Sequence, residues 1–346
     1  MRFYSSMIVG ITLVPPPINS PGVKELSAEF VNINELSDLV GKRILITGGA
    51  GFIGSALANK LAVKNQVFAI DNLSSGNWSR CSELVQKVEI DLFTESFEKL
   101  SEHFVDIDYV FHLAAVKLNS PKVSPSEIFL INVETSRKVF QAAMKNKVKK
   151  VLFTSSLYAY GNNGPEIMEE NQLPVARSHY GISKLTGENL LEVEAKNSGV
   201  PFVIARLFFV YGPRQFSEGG YKSVIMKNFE LKGRRLPAEI YGSGNQALDY
   251  VFIDDCINAL IELMVISFQG TVNISTGIAT TISSVINNIN SLFDDESKVF
   301  LPADWTDGTV RVGSPVKLNE ILGWQPSTSL DRGLKVIWEW WNDKNK

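Results

Sequence analysis

The chain has 346 residues, 45% of them hydrophobic, and a formal net charge of −3, which is length enough for one large domain and a smaller one. Its basic residues are dispersed and its pI is near 5.8, so a nucleic-acid partner is not expected. The cysteines, Cys81 and Cys256, make no disulfide framework and suit a reducing, cytoplasmic compartment; no segment reaches the roughly 20 apolar residues of a membrane helix.

Residues 1–40 read as an N-terminal extension. Met7 to Val14 is apolar behind Arg2 and resembles a short signal peptide, but Pro15, Pro16 and Pro17 and the lack of a small-residue cleavage pattern weaken that reading, and a disordered or surface-laid extension is the first expectation. A short helix is expected over Asn32 to Val40. The stretch Arg43 to Ser55 then organises the chain. Ile44, Leu45 and Ile46 have the apolar continuity of a buried parallel strand, and Gly48, Gly51 and Gly54 follow before a helical pattern begins. Such a strand, turn and helix start lets a pyrophosphate approach the backbone and the helix N-terminus. Asp71 ends the next apolar run, Gln66 to Ile70, about twenty residues on, where a carboxylate binds an adenosine ribose and disfavours a 2′-phosphate. Together the two signals predict NAD.

Strand and helix alternate from there: a helix over Ser55 to Asn65, a loop over Asp71 to Asn77, and strands over Lys87 to Ile90 and Tyr109 to Leu113. A helix over Glu127 to Lys145, a strand over Val151 to Thr154, a helix over Gly181 to Lys196 and a strand over Phe202 to Leu207 complete the series. The pattern predicts an α/β fold, a doubly wound parallel sheet of Rossmann type with a smaller α/β substrate lobe. Residues 41–211 are assigned to the dinucleotide-binding domain, with 245–272 returning to it, and 212–244 and 273–346 to the lobe. Helices are expected in the later part over Cys256 to Ile266, Thr280 to Leu292 and Leu330 to Trp341.

The chemistry is expected between the fifth and sixth strands. Ser155 and Ser156 sit at a strand end, and Tyr180 and Lys184 stand four residues apart on one helix face. Tyr-x-x-x-Lys alone is a common solvated-surface pattern; downstream of a dinucleotide fingerprint it becomes specific. The ammonium of Lys184 is expected to bring the Tyr180 phenol from its usual pKa of about 10 toward the range of a base, an oxidised nicotinamide adding a second charge. Ser156 would bond the substrate oxygen that loses its proton.

On these motifs the chain resembles the extended short-chain dehydrogenases/reductases of the NAD-dependent epimerase/dehydratase family, closest in pattern to the UDP-glucose 4-epimerases. The likeness runs from Lys42 to the C-terminus. It is carried by Thr47 to Gly54, by Asp71-Asn72-Leu73-Ser74-Ser75-Gly76, by His112-Leu113-Ala114-Ala115, by Ser155-Ser156 and by Tyr180-Gly181-Ile182-Ser183-Lys184. The resemblance implies that Phe52 and Ile53 meet the pyrophosphate, that Asp91 and Leu92 flank the adenine, and that Leu113, Ala114, Ala115 and Val116 line the dinucleotide. It also implies cofactor roles for Lys117, Asn132 and Phe208, and substrate contacts for Lys117, Ser156, Tyr180 and Phe209. A nucleotide-sugar substrate, a tightly held NAD, no metal and a homodimer built on the helices over Glu127 to Lys145 and Gly181 to Lys196 complete what it implies.

The resemblance also marks departures. Dehydratases and decarboxylases of the family carry an acid shortly after the catalytic Ser or Thr, where Leu157 and Tyr158 stand here. Phe209 replaces an expected Asn, Leu248 an expected Arg before Asp249, and Ala303 and Asp304 occupy the region of a second Arg. Arg214, Lys222, Lys227, Arg234, Arg235 and Arg311 are the available replacements for the lost diphosphate contacts. Epimerisation through a keto sugar is the first expectation; net oxidation or reduction of a keto sugar or small alcohol on the same Ser-Tyr-Lys set is the second, and a non-catalytic NAD-binding scaffold the third.

Overall fold

Short apolar runs and helices alternate along the chain, and in the computed structural model, which describes residues 39–118, 120, 123–161, 167–215 and 222–344, they form a seven-stranded parallel sheet with helices on both faces. The expected extension, apart from Leu39 and Val40, and the stretch Phe216 to Tyr221 lie outside the described residues. The first half runs β1 (Arg43–Thr47), α1 (Phe52–Ala62), β2 (Gln66–Asp71), β3 (Gln86–Glu89), α2 (Phe97–Glu102), β4 (Tyr109–His112), α3 (Pro125–Lys145), β5 (Lys150–Ser156), α4 (His179–Ser198), β6 (Phe202–Leu207) and β7 (Phe209–Tyr211). The second runs α5 (Val224–Gly233), β8 (Ala238–Tyr241), β9 (Ala247–Leu248), β10 (Tyr250–Phe252), α6 (Ile253–Val265), β11 (Gly270–Ile274), β12 (Thr280–Thr281), α7 (Ile282–Phe293), β13 (Lys298–Leu301), β14 (Val310–Arg311), α8 (Val316–Leu322) and α9 (Leu330–Lys344).

The strand order is β11-β6-β5-β4-β1-β2-β3. Sequence and space therefore reverse direction between β1 and β4, which opens a crevice beyond their carboxyl ends. Ile44, Leu45 and Ile46 are fully buried, as a strand covered on both faces requires. Leu57 of α1 and Leu260 of α6 pack with Ile44 and Ile46 on one face, whereas Phe140 of α3 and Leu191 of α4 pack with Leu45 and Val110 on the other.

Capping sets the helix starts. Ser124 and Glu127 form a reciprocal capping box at the head of α3, with Pro125 in the first turn. Ser178 caps α4 through Gly181 N, and Gly199 ends it in the left-handed region at φ 77°. The helix so begins before Gly181, and Tyr180 lies in its first turn.

After β6 the chain changes sheets at Phe208. β7 pairs with β10, β9 lies between β12 and β14, and β8 pairs with β13. Of the stretch 245–272, α6 and β11 lie against the main sheet, whereas β9 and β10 pair elsewhere. Buried Asp249, between those two strands, is the reason. It accepts hydrogen bonds from Thr276 N and Oγ1, Gly277 N and Gly313 N at 2.6–3.2 Å, which fasten this segment to the loops after β11 and β14.

One buried ion pair fastens α4 to the sheet. Arg206 of β6 donates through Nε at 2.9 Å and Nη2 at 2.7 Å to the two carboxylate oxygens of Glu188, which also accepts from Ser155 Oγ. Replacing Glu188 by Ala strands the guanidinium and should cost about 3–5 kcal/mol. Denaturant unfolding measures this, and a loss below about 1 kcal/mol would contradict the account.

Candidate active site

At the carboxyl end of β1 the chain comes as close to itself as glycine permits. Gly48 has φ +71°, and a Cβ there would stand 2.8 Å from Ala114 N; a Cβ at Gly54 would stand 2.1 Å from Gly48 O. The turn therefore admits no side chain at these two positions. Gly51, the N-cap of α1, offers no side-chain cap, so the first-turn N–H groups of α1 are left for a ligand.

Beside this turn Asp71 accepts from Ala50 N at 3.0 Å and Leu73 N at 2.8 Å. Burial raises its pKa, and the backbone donors oppose that rise. Leu73 and Gly76 do not line the cavity described next. Leu73, at φ 58°, and Gly76, whose Cβ would stand 2.7 Å from Asp71 Oδ1, shape the carboxylate's loop instead. Asn72 Nδ2 donates to Asp91 Oδ2 at 3.1 Å across the end of the sheet.

Apart from Leu73 and Gly76, every site residue expected from the sequence, from Gly48 to Phe209, lines a single cavity of about 810 Å³. Asn132 acts there through its neighbours. Its Oδ1 accepts from Val116 N at 2.7 Å, and its Nδ2 donates to Val116 O and Ser183 Oγ at 3.1 Å each, so it clamps the loop after β4 to α4. Lys117 lines the same cavity from a solvent-exposed position. The glycine cradle, the uncapped helix start and the Asp71 carboxylate on one cavity wall fit a dinucleotide with an unphosphorylated ribose.

Ser156, Tyr180 and Lys184 converge on the cavity at the end of β5. Ser156 caps the short 3-10 turn that follows, its Oγ accepting from Tyr158 N at 3.3 Å. Ser155 faces away, onto Glu188. Lys184 Nζ donates to Thr154 O at 2.9 Å and lies 5.9 Å from the Tyr180 ring centroid. The helix spacing predicts that this ammonium acidifies the phenol, but the protein's own groups do the opposite. Burial pushes Tyr180 up to about 12, opposed by the Ser156 side chain, and burial pushes Lys184 down to about 7. His112, between Thr47 Oγ1 at 2.6 Å and Ser136 Oγ at 3.0 Å, is held well below its usual value by burial and by the Lys184 charge. The cause is common to all three: a dry pocket disfavours every charged form.

The far wall holds residues the sequence did not single out for the site. Tyr158 packs edge-on against Tyr180 with centroids 5.9 Å apart, and its hydroxyl accepts from Arg311 Nη1 at 3.2 Å. Trp305 lies under the Arg311 guanidinium at 4.7 Å. Arg80 joins the cavity at the Asp71 end and donates to Ala50 O at 3.1 Å. The position of Tyr158 two residues beyond Ser156 was the legible signal; Trp305 and Arg80 carried none. Of the proposed replacement cations, Arg311 alone among the described residues lines the cavity, while Lys222, Lys227 and Arg234 line a neighbouring crevice. Among the described residues no acidic or histidine cluster has the arrangement of a metal site, and no helix is long and apolar enough to cross a membrane.

Comparison with known proteins follows this geometry. Residues 44–274 match the model of the NAD dependent epimerase/dehydratase family. The chain is similar to the crystal structure of UDP-glucose 4-epimerase with UDP-glucose from Thermotoga maritima, with 31% identity, a TM-score of 0.81 and coverage of 88% of this chain and 100% of that one. It is similar to UDP-glucuronic acid 4-epimerase from Bacillus cereus in complex with UDP-glucuronic acid and NAD, with 26% identity, a TM-score of 0.78 and coverage of 87% and 99%. A UDP-N-acetyl-alpha-D-glucosaminuronate decarboxylase of Bacillus cytotoxicus is 31% identical over 87% of this chain and 98% of its own length.

The buried lysine gives a pH test. The Lys184 value in the fold, about 7, lies below the roughly 10.4 of an unfolded lysine, so between those values the unfolded chain binds the extra proton. This group's contribution to stability therefore rises as pH climbs from about 7 toward 10 and is lost on the way down. Replacing Lys184 by Met should flatten that part of the stability profile, read as the difference between variant and parent in denaturant unfolding at pH 7 and pH 9.5. Identical slopes would sink the assignment.

Proposed function

We propose that this chain, which belongs to the NAD dependent epimerase/dehydratase family, interconverts nucleotide sugars by epimerisation at a hydroxyl-bearing carbon, with a UDP-linked hexose and its C4 as the substrate class and position. The observation that carries the reading is that Ser156, Tyr180 and Lys184 line the same cavity as the glycine cradle and Asp71. NAD is the cofactor: when bound, it supplies a hydride acceptor that later returns the hydride, and a positive charge in its oxidised ring.

Tyr180 Oη takes the proton of the reacting sugar hydroxyl and gives it back. Ser156 Oγ bonds the same oxygen and fixes it. Lys184, anchored on Thr154 O, holds its Nζ under the phenol ring. A phenol pushed up to about 12 by burial is a poor base, so added positive charge lowers it most where the surroundings are driest. The site thereby couples base strength to occupancy of the cofactor end. Elimination of water and decarboxylation find less support: Leu157 is buried, Tyr158 is held by Arg311, and neither offers the acid those reactions use in the family. UDP-sugar relatives with both 4-epimerase and decarboxylase activities surround the chain, and this absence is what favours the first.

The division into a dinucleotide-binding domain and a substrate lobe belongs to the same proposal, as does a homodimer. Leu130 on α3 and Val193 on α4, each 58% exposed, give that helix pair an apolar outer face suited to a second copy. The free, buried Cys81 and Cys256 suit a reducing, cytoplasmic setting.

Replacing Tyr180 by Phe should lower kcat about 10²–10⁴-fold with NAD affinity retained, and unchanged turnover of UDP-hexoses would exclude the mechanism. NAD should survive purification in stoichiometric amount; a freely exchanging cofactor would favour net oxidoreduction. In sedimentation at micromolar concentration the chain should be a dimer, and a monomer there would remove the proposed interface.

A further inference from the structure

Arg311 is a buried cation without a counter-charge. It is 3% exposed, it makes no ion pair among the described residues, and its polar partner is the neutral hydroxyl of Tyr158. Its Nη2 has no hydrogen-bond partner among the described residues. A buried guanidinium in that condition is costly unless something else brings negative charge to it. The open side of Arg311 is the cavity.

The ladder gives its position. β14 runs parallel to β9 with Arg311 opposite Leu248, so the two side chains leave the small sheet on the same face, and both line the cavity. Leu248 is a half-buried apolar residue at this wall. We propose that Arg311 is the diphosphate-binding residue of this chain: its planar fork, hydrogen-bonded to the Tyr158 hydroxyl and stacked near the Tyr158 and Trp305 rings, binds the diphosphate oxygens of the substrate from the strand next to Leu248. The diphosphate assignment rests on the nucleotide-sugar reading; the need for an anion does not. A carboxylate on the sugar is the other anion such substrates carry, and the experiment separates the two.

The NAD-loaded full-length chain is titrated calorimetrically with UDP, UDP-glucose and UDP-glucuronic acid, alone and with Arg311 replaced by Leu. Charge-assisted bidentate contacts of this kind should be worth at least about tenfold in affinity, so Arg311→Leu should weaken all three ligands by a similar factor of about ten or more. Adding Leu248→Arg to that variant moves the charge by one ladder position and should restore most of the UDP affinity, a rescue that a merely structural arginine would not show. Should Arg311→Leu fail to melt cooperatively, Arg311→Lys keeps charge and stem without the fork, and UDP binding intermediate between parent and background is then expected.

Unchanged UDP affinity in Arg311→Leu or Arg311→Lys overturns the proposal. So does a loss confined to UDP-glucuronic acid, which would place the anion on the sugar. A parent chain that binds UDP through Arg311 yet interconverts no UDP-hexose would refute the epimerase and leave Arg311 standing. Turnover with an Arg311 variant that binds UDP as the parent does would do the reverse.

Discussion

Lys184 Nζ donates to Thr154 O at 2.9 Å, and this bond joins α4 to the carboxyl end of β5 inside a buried pocket, where the Glu188 carboxylate one turn along the helix only partly offsets the effect of burial on the ammonium. Most of the site depends on that placement. The helix face that carries Lys184 also carries Tyr180 one turn earlier, and β5 delivers Ser156 to the same point. Glu188, one further turn along α4, takes Arg206 and Ser155 and so fixes both the helix and the strand. A charge network thus lies under the reacting groups while the reacting groups themselves stay dry. Burial then disfavours the phenolate and the ammonium alike, and the site is poised to respond to whatever charge enters it.

Two parts of the cavity are built by different means. Around Asp71 the backbone is the building material: Gly48 and Gly54 let chain approach chain, and Asp71 is held by one amide of the glycine turn, Ala50 N, and one of its own loop, Leu73 N. Elsewhere side chains line the cavity, and Leu248, Tyr250 and Arg311 among them come from short strands that pair outside the main sheet. β9 and β14 are two residues long, each gives the cavity one residue, and their register brings Leu248 and Arg311 together. A fold can vary the second set by substitution without disturbing the first.

How much of this was legible in the sequence differs by element. The apolar runs Ile44–Ile46 and Phe202–Leu207 and the helix of Glu127 to Lys145 carry their period openly, so six strands of the wound sheet were readable, whereas the edge strand β11 was not named. The glycine spacing and Asp71 were readable for the same reason: local backbone demands leave local marks. The short strands β9, β10 and β14 left none, because two or three residues have no period to detect and are held by partners far along the chain. The stretch around Asp249, assigned from the sequence to the dinucleotide-binding domain, pairs through β10 with β7, and its buried carboxylate ties it to the loops that follow β11 and β14, contacts that no local pattern announces.

The sequence by itself determined the order of the sheet's elements, the dinucleotide cradle and the pairing of Tyr180 with Lys184, since each is a property of neighbours within a few turns or strands. The proton affinity of those groups and the approach of Arg311 to Tyr158 arise only from tertiary packing. Proton affinity depends on how much water a pocket excludes, and Arg311 reaches Tyr158 across 153 positions of chain. Neither exclusion of water nor a contact of that span is written in local spacing.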